Sequence, residues 1–315
     1  MPKLAIVQKA SVFLDKEKSI ELAVTSVKEA AAQKATVVIF TEAFIPGYPT
    51  WVWRLRPGGD WNLSEQLYQR LFDNSVCMES DDLLPLYAAA REHEVTIVCG
   101  IEECDSRLSR TTLYNTLIII GPDGSLLNRH RKLMPTNPER MVWGFGDASG
   151  LRVVDTPAGR IGALVCWENY MPLARYALYA QGVEIYIAPT YDSGEGWLGS
   201  LQHIAREGRC WVVGSGNLMR GSDFPDDFPD KSRLYPDPEE WVNPGDSVVI
   251  APGGEIVAGP MRKESGILYA DIDLGKVAAA RRVFDVAGHY SRPDIFTLQV
   301  DTRAQTSVEF KNQDR

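Results

Sequence analysis

"IGALVCWENYMPLARYALYAQGVEIYIAPT", residues 161–190, decides the fold class. The apolar run Ile161-Gly162-Ala163-Leu164-Val165 has the length and composition of a buried strand, and it ends in Cys166. Trp167, Glu168 and Asn169 form a polar turn. Pro172 then opens a stretch that reads as a helix over 172–180, with Gly182 as its stop signal. Residues 183–190, "VEIYIAPT", make the next buried strand. Strand, turn, helix and strand in this order point to an α/β fold. They also place a thiol where a buried strand gives way to a polar turn.

The pattern continues in both directions. Lys3 to Gln8 reads as a strand, and Asp15 to Gln33 as a helix, because Ile20, Val24, Val27 and Ala31 recur at spacings of three and four. "ATVVIFTE" is a buried strand ending at Glu42, "GYPTWVWRLRPGGDW" an aromatic loop, Asp82 to His93 a helix and "VTIVCGI" a strand. "TLYNTLIII" and "SLLNRHRK" flank the turn "GPDG" as a hairpin, and "LRVVDTPAGRIGALVC" is a second hairpin ending at Cys166. Leu198 to Glu207 reads as a helix and "RCWVVGSGN" as a strand. "SVVIAPGGEIVAG" is a further hairpin and "ILYADI" the last strand. Residues 221–245 are expected to be a long loop, and the tail from Gly275 is charged and less regular. The hairpins mean the sheets are mixed. No linker or internal repeat divides the chain, so a single domain over 1–315 is expected, with its core at about 3–298.

Composition narrows the function classes. Of 315 residues, 44% are hydrophobic and 24% charged, an ordinary globular balance. The formal net charge of -9 argues against nucleic acid or an anionic membrane as partner. Met1-Pro2-Lys3 runs straight into Leu4-Ala5-Ile6-Val7, so no signal peptide is expected and the cytoplasm is the default. The five cysteines, Cys77, Cys99, Cys104, Cys166 and Cys210, include no C-x-x-C pair. Cys99 and Cys210 sit in apolar strands and read as small buried hydrophobes.

Three apolar strands end in a reactive side chain: Glu42, Lys132 and Cys166. In open α/β folds ligands sit beyond the carboxyl ends of strands, so the three ends can converge on one pocket. The residue types suit one another. A thiol attacks only as thiolate, a neighbouring carboxylate takes its proton, and an ammonium stabilises both the thiolate and the anion formed by attack. The helix start after Cys166 is expected to add to that stabilisation. Taken singly, a Glu at a strand end or a Lys in "NRHRK" is more often a solvated surface group. His130 and His203 have no spacing that pairs them with Cys166. No H-E-x-x-H, P-loop or G-x-G-x-x-G is present, so metal and nucleotide chemistry have no support in the motifs.

The three blocks together resemble the nitrilase superfamily, in particular its nitrilase branch. "FTEAFIPGYP" carries Glu42, "RHRKLMPTNPERMVWGFGD" carries Lys132 and a second glutamate, Glu139, and "LVCWENYMPLARYALY" carries Cys166. "DVAGHYSRPDIF" resembles the branch's tail block, and the likeness runs in order from about residue 3 to residue 298. Asn137-Pro138 and Ala148 depart from the usual pattern around Glu139. The resemblance implies an α-β-β-α sandwich of mixed sheets covered by helices. It implies hydrolysis of an organic nitrile to a carboxylic acid and ammonia, through a cysteine thioimidate and thioester. Glu42, Lys132, Cys166 and Glu139 would be catalytic, the backbone N–H of Trp167 would join the anion hole, and no metal or cofactor would be needed. A cyanide-hydrolysing enzyme or an amidase of the same superfamily is the alternative, and a silent relative acting as a binding module is a third.

Tyr48, Trp51, Trp53, Thr190, Tyr191 and Trp197 are candidates to wall an apolar substrate pocket, against the reading that several are core aromatics. The resemblance also implies a homodimer or a larger homo-oligomer, including a spiral. The loop at 221–245, with Phe224, Phe228, Tyr235 and Trp241, and the tail after Gly288 are the candidate contact segments, against the reading that the loop's rings fold back onto their own domain.

Overall fold

A computed structural model describes residues 1–106, 109–306 and 308. In the first half the elements are β1 (Lys3–Gln8), α1 (Lys16–Ala32), β2 (Val37–Ile39), α2 (Trp61–Asp73), β3 (Val76–Cys77), α3 (Leu84–His93), β4 (Thr96–Cys104), β5 (Leu113–Ile120) and β6 (Leu126–Arg131). The second half has β7 (Val154–Thr156), β8 (Gly159–Ala163), α4 (Pro172–Ala180), β9 (Ile185–Thr190), α5 (Glu195–Gly208), β10 (Trp211–Gly216) and β11 (Leu218–Arg220). It continues with α6 (Lys231–Leu234), β12 (Trp241–Ile250), β13 (Ile256–Arg262), β14 (Gly266–Asp271) and α7 (Gly275–Arg281).

These build two mixed seven-stranded sheets. The first has the order β14-β1-β2-β4-β5-β6, with β3 beside β4; the second has β11-β12-β10-β9-β8-β7, with β13 beside β12. Pairing is parallel for β1–β2–β4 and β8–β9–β10, and antiparallel where the hairpins close. The two-residue period of a strand then sorts side chains between layers. On β1, Leu4 and Ile6 point to the centre, where they meet Val37, Ile39 and Val98 and, from the second sheet, Ile161, Ile187 and Val213. Ala5 and Val7 point outward under α1 and α3. The outer face of the second sheet is covered by α4 and α5 in the same way. The result is the α-β-β-α sandwich expected from the resemblance. Among the described residues no helix is long and apolar enough to cross a membrane.

Local chemistry explains most boundaries. Asp15 caps α1 by accepting a hydrogen bond from the N–H of Lys18. Pro172 sits at the first turn of α4, where its missing N–H costs nothing. Gly100 lets β4 run against the chain that carries Glu42: a Cβ there would lie 2.4 Å from both the Ala43 nitrogen and the Thr41 oxygen.

Three expectations need correction, and one helix was not anticipated. Residues 61–73 form a helix directly after the aromatic loop, and α5 begins at Glu195 rather than Leu198. The strand before Cys166 ends at Ala163, and Leu164 adds one more ladder bond, to Ile187 O at 3.2 Å. Residues 221–245 are not a solvated loop bearing exposed rings. Phe224, Phe228 and Tyr235 are buried with Phe13 and Trp51, Phe224 stacks on Tyr235 with centroids 3.6 Å apart, and Trp241 already belongs to β12. Folding inward removes their apolar area from water without any second chain.

Candidate active site

The three strand ends do converge. β2 continues as extended chain, with Phe40 N bonded to Val98 O at 2.8 Å, and leads to Glu42. β6 ends immediately before Lys132, whose N–H still bonds Asn115 O on β5 at 2.8 Å. From the second sheet, β8 leads to Cys166. All three side chains are buried in the same place.

Glu42 is fixed by donors from both sheets. Its Oε1 accepts from Lys132 Nζ at 2.9 Å and from Asn115 Nδ2 at 2.7 Å. Its Oε2 accepts from the N–H of Tyr191 at 2.6 Å, and its carbonyl from Asn217 Nδ2 at 2.9 Å. Glu139 lies on a short turn over 137–141 and is capped with Thr136, whose N–H donates to Glu139 Oε2 at 2.5 Å. The unusual Asn137-Pro138 pair is accommodated there, with Asn137 at φ +46°. Lys132 Nζ donates to the same Oε2 at 2.7 Å, Tyr48 OH donates to Oε1 at 2.6 Å, and Trp53 Nε1 donates to Tyr48 OH at 3.0 Å. The ammonium of Lys132 is thus clamped between two buried carboxylates.

A sulfur and two carboxylates within 4.8 Å of one another, Cys166, Glu42 and Glu139, also make a set of metal-ligand types. Lys132 already places a positive charge between the carboxylates, so a metal ion would have to displace it. The donor set therefore fits an ammonium better than a metal.

The electrostatics refine one expectation. Burial pushes the Cys166 thiol up, and the charge on Glu42 pushes the same way; Lys132 opposes them and is outweighed. Burial and Glu42 thus favour the neutral thiol, and Lys132 offsets them only in part. Burial also raises Glu42, partly offset by Lys132. Burial disfavours the Lys132 ammonium, but Glu42, Cys166 and Glu139 outweigh that and hold it above its ordinary value. The cluster thus contains a proton acceptor with a raised pKa beside a thiol that ionises only with help.

Cys166 has φ +52°, in the left-handed region, which costs a residue with a Cβ about 1–2 kcal/mol. Such outliers persist where the surroundings hold them. Here Asn169 Nδ2 donates to Leu164 O at 2.9 Å and to Cys166 O at 2.7 Å, while Tyr186 OH donates to Asn169 Oδ1 at 2.7 Å. Glu168 accepts from the N–H groups of Val165 at 2.7 Å and Leu133 at 2.5 Å, and from His130 Nε2 at 3.1 Å. Glu168 and Asn169 therefore brace the turn, although sequence reasoning assigned them no role. The signal was their position immediately after the thiol. Asn115 was also missed, and its signal was a polar residue inside the apolar strand "LYNTLIII".

A cavity of about 270 Å³ opens onto Cys166. Tyr48, Trp53 and Tyr191 line it as expected, together with Trp167, Glu139 and Asp192. Tyr48 and Tyr191 are stacked, with centroids 4.0 Å apart. Three expected wall residues are elsewhere. Trp51 packs edge-on to Phe13 in the core. Trp197 is on α5 and buried against the outer face of the second sheet. Thr190 is buried at the end of β9, where its hydroxyl accepts from the N–H of Asp192 at 2.8 Å. His130 is buried and structural, as its place in a strand suggests, and His203 is exposed 3.8 Å from Glu207.

Known proteins can be set beside this geometry. The carbon-nitrogen hydrolase family model matches residues 3–282. Nitrilase 1 of Arabidopsis thaliana is 40% identical over 313 residues, 98% of this chain and 89% of that protein. The aliphatic nitrilase of Sinorhizobium fredii (strain HH103) is 39% identical over 307 residues, 97% of each chain. The bifunctional nitrilase/nitrile hydratase NIT4A of Lupinus angustifolius is 39% identical over 98% of this chain and 88% of its own. In three dimensions, Nit3 of Saccharomyces cerevisiae superposes with a TM-score of 0.71 at 21% identity, covering 92% of this chain and 96% of that one. With the fold shared so broadly and the curated relatives so similar over nearly full length, this chain belongs to the carbon-nitrogen hydrolase family, in its nitrilase branch.

Proposed function

We propose that this protein hydrolyses an organic nitrile to a carboxylic acid and ammonia through a covalent intermediate on Cys166. The observation that carries this reading is the position of Glu42, hydrogen-bonded to Lys132 and within 4.8 Å of the sulfur of Cys166, which itself lines the aromatic cavity.

Glu42 takes the thiol proton as sulfur bonds to the nitrile carbon, and one π pair of the C≡N bond moves to nitrogen. Glu42 returns the proton to that nitrogen, giving a thioimidate. Lys132 and the backbone N–H of Trp167 stabilise the anion as it forms, and Glu139 holds Lys132 in place. Glu42 then deprotonates a water that adds to the same carbon, and the proton passes to nitrogen. Glu42 passes the hydroxyl proton of this tetrahedral intermediate to the –NH₂ group as the C–N bond breaks with its electron pair on nitrogen, so ammonia leaves and the thioester carbonyl forms. A second water, deprotonated by Glu42, displaces the sulfur, which recovers its proton. If the tetrahedral intermediate expels sulfur instead of ammonia, the product is an amide; the relative named as a bifunctional nitrilase/nitrile hydratase supports that branch as a side product. Tyr48, Trp53, Tyr191 and Trp167 form the substrate wall.

The test is ammonia release from a panel of aliphatic, aryl and arylacetonitriles, cyanide and the matching amides, with mass spectrometry for an adduct on Cys166. Ammonia from one or more organic nitriles, with the adduct, is expected. Release from amides or cyanide alone overturns the proposal.

The working protein is proposed to be a cytoplasmic homodimer or larger homo-oligomer. Tyr290, Ile295 and Phe296 in the tail are exposed, which favours that segment as a contact. Light scattering showing only a 35.0 kDa species, active over a wide dilution range, overturns the oligomer.

A further inference from the structure

We propose that Asp192 makes this cavity select nitriles by charge, accepting the ammonium group of a small aminonitrile and disfavouring nitriles that carry a carboxylate. The proposal rests on the nitrile-hydrolysing reading above.

Asp192 lines the same cavity as Cys166. It lies two residues beyond the end of β9, and its N–H donates to Thr190 Oγ1 at 2.8 Å, which ties it to the end of that strand. Its Oδ2 accepts from Trp167 Nε1 at 2.8 Å and its Oδ1 from the N–H of Ser193 at 2.8 Å. Both donors are neutral, and among the described residues no Lys, Arg or His forms an ion pair with Asp192. The carboxylate is therefore oriented but not neutralised. The other carboxylate on the cavity wall, Glu139, is different: its oxygens are taken by Lys132, Tyr48 and Thr136.

The surrounding wall adds to the preference. Tyr48, Trp53, Tyr191 and Trp167 also line this small cavity, Tyr48 and Tyr191 stacked on one another, and aromatic rings accommodate a cation better than an anion. At about 270 Å³ the space lies just below the usual range for drug-sized ligands, so it suits a nitrile of a few carbons. A short chain with a cyano group at Cys166 and an ammonium at Asp192 satisfies both ends. A carboxylate in the second position would meet Asp192 at close range with no cation between them.

The experiment compares 4-aminobutyronitrile, pentanenitrile and 3-cyanopropionate, similar in length but positive, neutral and negative near neutral pH. Two readouts are taken on the wild type, Asp192→Asn and Asp192→Glu. One is kcat/KM for ammonia release. The other is protection of Cys166 from iodoacetamide, which needs no turnover. For the wild type we expect the positive nitrile to exceed the negative one by about tenfold or more in both readouts. Asp192→Asn keeps an acceptor for Trp167 but loses the charge, and should collapse the positive-to-neutral ratio toward one. Asp192→Glu, if folded to the wild-type melting temperature, should restore most of it. Turnover with the same charge order in wild type and Asp192→Asn overturns the proposal while leaving nitrile hydrolysis intact. Charge-ordered protection that depends on Asp192, with no nitrile turned over, supports charge selection and overturns the reaction instead.

Discussion

His130 and Glu168 face each other inside the sandwich, with Nε2 of the imidazole 3.1 Å from Oε2 of the carboxylate and both side chains buried. Glu168 also takes the N–H groups of Leu133 and Val165. One carboxylate thus joins the end of β6, which carries Lys132, to the turn that carries Cys166. The His130 interaction and the backbone donors hold Glu168 below its ordinary value, against the opposing effect of burial.

Replacing Glu168 by Gln puts an NH₂ donor where one of three donors now ends. Leaving a buried donor unpaired costs about 1–3 kcal/mol. We expect kcat to fall by roughly tenfold to a hundredfold with KM little changed, because the distance from Lys132 to Cys166 shifts while the cavity wall stays. Steady-state kinetics beside a thermal melt check this. A lowered melting temperature with wild-type kcat would reduce Glu168 to a purely structural group.

Cys166→Ala should abolish turnover and keep the fold, since it removes only a sulfur. Cys166→Ser should be nearly inactive, because Glu42 is a weak base for a hydroxyl that ionises far less readily than a thiol. Circular dichroism and ammonia assays on both variants are sufficient. Normal activity in either one ends the covalent mechanism.

Lys132→Ala leaves Glu42 and Glu139 facing each other without the ammonium. Losing a donor to the developing anion typically costs on the order of a hundredfold to a thousandfold in rate. Lys132→Arg keeps the charge but brings a wide planar fork between two carboxylates spaced for a point charge, and should also be severely impaired. A wild-type rate in Lys132→Ala would remove Lys132 from the mechanism.

The acid limb of the rate profile should lie above the ordinary carboxylate value of 4.5, because burial raises Glu42. Below its folded pKa Glu42 holds a proton and cannot take one from Cys166, so kcat/KM should rise as pH rises through that value. A kcat/KM profile already flat at and below 4.5 would show that Glu42 is not the base.

Activity should survive dialysis against EDTA, because the ammonium of Lys132 already supplies the positive charge between Glu42 and Glu139. Loss of activity on chelation, restored by one particular metal, would contradict this.

Much of the fold was legible because local signals agreed. Apolar runs with the strand period, the Asp15 cap and Pro172 at the start of α4 all mark elements that local chemistry alone favours. The helix α2 was not legible. It buries only Leu67 and Leu71 and follows a Gly-rich aromatic loop, so its apolar face is sparse and its entrance looks like more loop. The rings at 224, 228 and 235 misled for the opposite reason. Asp and Pro around them suggest a solvated segment, whereas Phe13 and Trp51, distant in sequence, supply the surface they cover.

The sequence alone determined which groups are available: a thiol, a base and an ammonium, each at the end of an apolar strand, in blocks that resemble one family. The tertiary structure decided what those groups are. Bringing Glu42, Lys132, Glu139 and Cys166 into one buried cluster raises Glu42, favours the charged form of Lys132 and disfavours the Cys166 thiolate. It also sends Trp51 to the core and Asp192 to the cavity wall. The physical reason is that strand periodicity is written in neighbouring residues, whereas desolvation and charge coupling depend on distances between residues far apart in the chain.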